Sequence, residues 1–85
     1  MKFPQYRSLN NNQVVYQIIS DIEFIELKIT GKYYSINNYR AHQYPEKVKI
    51  REMILNTDKE YLEINKNDFE LIKLSCDKTK TRIDF

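Results

Sequence analysis

The chain holds one histidine, His42, and one cysteine, Cys76. An imidazole suits proton transfer near neutral pH, and a thiolate is a strong nucleophile. Neither acts by itself. A base needs an orienting group, a nucleophile needs a base, and a zinc ion needs several His or Cys ligands. His42 lies in "YRAHQY", which alternates like a strand. Beside Cys76, Asp77 would raise the thiol pKa and Lys78 would lower it. His42 is therefore expected to be a structural or surface residue and Cys76 a buried or inert thiol, with no catalytic, cofactor or metal role. A single cysteine also rules out an internal disulfide. A phosphate-binding loop needs several glycines so that backbone can approach the anion, and Gly31 is the only glycine. The acids at 21–26 and 58–70 are spaced like helix starts and solvent-facing strand positions rather than like a catalytic carboxylate pair.

One region stands out in charge and aromatic content. Between 32 and 51, Lys32, Arg40, Lys47, Lys49 and Arg51 face a single acid, Glu46, and Tyr33, Tyr34, Tyr39 and Tyr44 are interleaved with them. Tyrosine and arginine are common anchors of protein interfaces. Basic residues and aromatics on strands also bind single-stranded nucleic acid, cations on phosphates and rings on bases. A basic strand pair with half-buried tyrosines would have the same composition. The expectation is a non-enzymatic protein-binding module, whether adaptor, inhibitor or self-associating domain. Its contacts would be Tyr33, Tyr39, Arg40, Tyr44, Lys47, Lys49 and Arg51, and its partner a protein or a second copy. A single-stranded nucleic-acid-binding domain using the same segment is the alternative.

Size and composition bound these choices. At 85 residues, with 41% hydrophobic and 31% charged, the chain fits one globular domain. A formal charge of +2 is too small to argue for a polyanionic partner. No stretch approaches the roughly 20 apolar residues of a membrane helix, and "MKFPQYRSLNNNQ" has no apolar run after its charge. A soluble, cytoplasmic protein is expected.

The elements that would position these residues read as follows. Residues 1–12 form an arm, 13–76 a compact domain and 77–85 a tail that is frayed or adds a short strand. "QVVYQII" (13–19) is a strand, rich in β-branched residues. "SDIE" has the form of a capping box, with Ser20 and Glu23 satisfying each other's backbone N–H groups. It predicts a helix carrying Phe24 and Leu27 and stopped by Gly31. A strand is the rival there, since "IELKIT" alternates. "YQIISDIEFIELKIT" (16–30) and "YLEINKNDFELIKLS" (61–75) share a frame, which predicts a strand–helix unit used twice. In the second copy Asn65 or Asn67 caps, with Asp68 in place of Glu23. Residues 32–44 read as a strand bent near Asn37–Asn38, and "YPE" as a turn. In 47–55, Val48 and Ile50 alternate with Lys47, Lys49 and Arg51, which favours a strand, although Pro45 and Glu46 would also start a helix. The resulting order is β-α-β-β-β-α. The fold class is α+β: a small antiparallel or mixed sheet with two short helices packed on one face.

"FPQYR…NNN", the "SDIEF" turn, "GKYY" and "PEKVKIREM", in this order, resemble small uncharacterised bacterial proteins of similar length. The likeness covers roughly the first two-thirds of the chain. It carries no catalytic motif and implies only a similar size and compactness.

Overall fold

The computed structural model describes residues 2–9, 11–57 and 59–83, with Tyr44 by its backbone alone. The elements are β1 (Gln5–Leu9), β2 (Val14–Ser20), β3 (Glu23–Thr30), β4 (Tyr33–Arg40), α1 (Tyr44–Leu55), β5 (Leu62–Ile64), α2 (Lys66–Thr79) and β6 (Thr81–Arg82). The fold is α+β. One six-stranded sheet runs in the order β5-β1-β2-β3-β4-β6. All its pairings are antiparallel except β4 with β6.

The helices lie on opposite faces, contrary to the expectation that both pack on one face. Phe69 and Cys76 of α2 pack with Tyr6, Val15, Leu27 and Tyr34. Ile50 and Met53 of α1 pack with Tyr16, Ile18, Phe24 and Ala41. Adjacent strand residues such as Val15 and Tyr16 fall into different clusters because successive side chains point to opposite sides of a sheet. The sheet is thus a middle layer with one helix on each side.

This layering explains the largest departure from the predicted order. Residues 23–30 form a strand, not a helix. Phe24 faces α1, while Leu27 and Ile29 face α2, so apolar residues occur on both parities. In sequence that resembles helical spacing. The local signals at its ends have other uses. Ser20 Oγ accepts from the Ile22 N–H at 3.2 Å within the β2–β3 turn, and the Glu23 carboxylate accepts from Asn38 Nδ2 at 3.2 Å. Gly31, at φ +60°, opens the two-residue hairpin loop between Thr30 and Tyr33. A left-handed glycine ends a helix or turns a hairpin equally well. The two similar segments are consequently not equivalent units: the first is the β2–β3 hairpin and the second is β5 with α2. Phe24 and Phe69 are both buried, but under different helices.

The second departure is α1, where a strand was favoured. The Glu46 carboxylate accepts from the backbone N–H groups of His42 and Gln43, both at 3.2 Å, and Pro45 lies in the first turn. Ile50, Met53 and Ile54 then fall on one face, whereas Val48 stays half-exposed. The alternation across 47–51 was two positions long and had no partner strand to pair with. α2 forms as its cap predicts: Asn65 Oδ1 accepts from the Asp68 N–H at 2.8 Å.

The segment expected as an arm supplies β1, hydrogen-bonded between β2 and β5. Thr81 and Arg82 of the expected tail form β6 on the far edge. Among the described residues no helix is long and apolar enough to cross a membrane.

Candidate protein interface

The segment 32–51 becomes β4, a short connection and the first two turns of α1. The Ala41 N–H donates to the Ile22 carbonyl at 2.6 Å, which ties the connection to the β2–β3 turn. The residues singled out by composition then separate into distinct environments.

Tyr33 opens β4 and is 50% exposed, beside Lys28 and Ile83. Tyr34 points to the other face, where it is buried and its hydroxyl donates to Asp77. That hydrogen bond, together with burial, raises the Tyr34 pKa. Tyr39 stacks on Phe24, with ring centroids 5.0 Å apart. Arg40 is exposed at the end of β4, across from Glu23. For Tyr44 the described backbone begins α1. Lys47 and Arg51 are exposed one turn apart on α1. Lys49 instead turns to the sheet: its Nζ lies 5.3 Å from the centre of the Tyr16 ring and 4.0 Å from the Glu26 carboxylate.

Lys49 therefore belongs to a polar cluster beneath α1. Burial pushes the Tyr16 and Tyr39 hydroxyls up in pKa, and Glu26 adds to both shifts. Glu26, expected on a solvated face, is largely covered there. A second polar tie lies nearby. Arg7 on β1 is 4% exposed, and its Nε donates to the Met53 carbonyl at 2.9 Å and its Nη2 to the Ile54 carbonyl at 3.4 Å. These are carbonyls of the last helical turn, which lack intrahelical partners and carry the negative end of the dipole. Arg7 thus fastens the end of α1 to the sheet. Its position in a segment expected as an arm hid this role.

Lys47 and Arg51 rim a cleft of about 520 Å³ whose floor and walls include Phe3, Ile22, Ile50 and Ile54. Leu55, on the same side of α1 as Lys47 and Arg51, is 63% exposed, and Ile22 is 36% exposed. Asp21 closes the opposite rim. Sequence inspection did not bring Phe3, Ile22 and Leu55 together, because they come from the N-terminal segment, a turn and a helix end. The available signal was apolar residues at positions that turns and helix ends usually leave polar.

His42 is exposed in the β4–α1 connection. Cys76 is 1% exposed beneath α2, and burial raises its thiol pKa. Among the described residues no three or more His, Cys, Asp or Glu side chains converge as a metal site would require. No family model matches this chain, and neither curated proteins nor solved structures provide a match.

Proposed function

We propose that the protein is a small non-enzymatic binding module that docks on another protein through the 32–51 segment. The α1 cleft is the observation that carries this proposal. Exposed Ile22 and Leu55 border an apolar floor, and the Lys47 and Arg51 cations stand on its rim. A desolvated apolar centre with a charged rim is the usual anatomy of a protein interface. The segment's tyrosines suit nucleic acid poorly. Among its described tyrosines, Tyr34 is buried on Asp77 and one face of Tyr39 is stacked on Phe24, so only Tyr33 and the outer face of Tyr39 are open to bases.

The test is affinity capture from native lysate with the wild type and with a Leu55→Asp, Arg51→Glu double variant, followed by mass spectrometry. A protein captured by the wild type and lost in the folded double variant supports the proposal. Retention by the double variant, or capture that disappears on nuclease treatment, refutes it.

A further inference from the structure

We propose that the outer edge of β4, from Ile36 to Arg40, accepts an extended acidic segment of a partner protein as an added strand. The edge is defined by hydrogen bonding. β6 pairs with β4 only at Tyr33 and Tyr34. The Lys32 and Tyr34 carbonyls accept from Thr81 and Ile83 N–H groups, both at 2.8 Å, so these even-numbered residues direct their backbone groups away from β3. The β3–β4 register is unbroken from Tyr33 to Arg40. Backbone polarity alternates along a regular strand, so Ile36, Asn38 and Arg40 also point their N–H and C=O groups outward. No described residue pairs with them. Among the described residues the open length is about 17 Å at strand rise.

Such an edge is a template for a further strand. The side chains around it define the partner's chemistry. Ile36, Asn38 and Arg40 lie on the α2 side, where Lys73 lies with Ile25 and Ile36 around a small cavity. Arg40 and Lys73 are both exposed cations. Two nearby acids are already engaged: Glu23 accepts a hydrogen bond from Asn38, and Asp77 accepts one from the Tyr34 hydroxyl. An extended segment with an apolar or threonine centre and flanking glutamates would match the edge in both backbone and charge. A second copy is a weaker occupant. It would bring the same cations to the junction, and a pairing this short covers less than the roughly 800 Å² per partner of a stable interface.

This assignment rests on the protein-binding proposal but uses a surface separate from the α1 cleft, so the two can fail independently. The probe is the peptide acetyl-Glu-Thr-Val-Thr-Val-Thr-Glu-amide, titrated into labelled protein and followed by backbone amide NMR. The expected result is saturable shifts and slowed exchange at Ile36, Asn38 and Arg40. Affinity should be at least about tenfold weaker for the same peptide with lysines in place of glutamates, a difference of about 1.4 kcal/mol. Asn38→Pro removes an outward N–H without touching the β3 ladder and should abolish the response. Should that variant misfold, a peptide with N-methylated amides on its pairing edge tests the same hydrogen bonds with unmodified protein. Arg51→Glu should leave the response unchanged. Strand addition is overturned if those three amides do not respond, if the N-methylated peptide binds equally well, or if sedimentation shows a dimer that protects the same edge. Any of these outcomes leaves the α1 cleft proposal standing.

Discussion

Beneath α2 the sheet offers Tyr6, Val15, Leu27 and Tyr34 to Phe69 and Cys76, an almost wholly apolar contact. Beneath α1 the apolar contact of Ile50 and Met53 with Tyr16, Ile18 and Phe24 is laced with charge, through Arg7 on the helix carbonyls and Lys49 between Tyr16 and Glu26. α2 is held by a cap of its own and an apolar stripe. α1 lacks basic residues in its last turn, and Arg7 from a distant strand supplies that charge. Both helices carry an N-terminal cap, Glu46 for α1 and Asn65 for α2, but the end of α1 is stabilised from across the fold and that part cannot be read locally. The same contrast explains why α1 carries the exposed rim: its interior cations are committed, and Lys47 and Arg51 are left facing outward.

The α2 side should break first. Phe69→Ala removes the ring that packs 5.3 Å from Tyr6 and should cost about 3–5 kcal/mol, readable by urea unfolding. A loss below about 1 kcal/mol would show that α2 is not held by its apolar face. Arg7→Met keeps much of the volume but leaves the Met53 and Ile54 carbonyls without their donor. It should cost about 2–3 kcal/mol and raise amide exchange in the last turn of α1 more than in α2. Uniform exchange changes in both helices would refute a specific tie.

Alkaline pH should act on both sides of the sheet, through Tyr34 and Cys76 under α2 and most strongly through Tyr16 under α1. Tyr16 has a folded-state pKa raised by burial and by Glu26. The folded form holds that proton after the unfolded chain has lost it, so the contribution is complete below the ordinary tyrosine value of 10.0 and declines above it. Stability should fall by up to about 1.4 kcal/mol per pH unit above that point from this group, until the folded form also ionises, checked by denaturant titration at several pH values. Tyrosine ionisation at normal pH with no loss of stability would contradict the buried environment.

Asn65→Ala deletes the α2 cap and should cost about 1 kcal/mol. Lys49→Met should cost less still, below about 1 kcal/mol, because its side chain is 42% exposed and solvent screens its contact with Glu26. If Lys49→Met exceeded Asn65→Ala in thermal denaturation, the polar cluster would be a larger part of the α1 packing than its exposure implies.

The candidate interface was legible in part. Charge and tyrosine content marked 32–51, and Lys47 and Arg51 do line an exposed cleft. The same list included Lys49, which composition cannot distinguish from its neighbours, because orientation on a helix depends on which face the sheet occupies. The other side of the cleft, Phe3 and Ile22, is far away in sequence and carries no charge signal.

Local chemistry by itself determined β2 from its β-branched run and α2 from Asn65, Asp68 and the Phe69 spacing. It also favoured an α+β class over loop-rich or disordered alternatives. Tertiary structure decided what local signals left degenerate. Ser20, Glu23 and Gly31 serve a capped helix and a pair of hairpin turns equally well, and only neighbouring strands on both sides of residues 23–30 select the extended form. The sandwiching of the sheet between two helices was decided there too, since it depends on two faces of one strand being buried by partners more than twenty residues away.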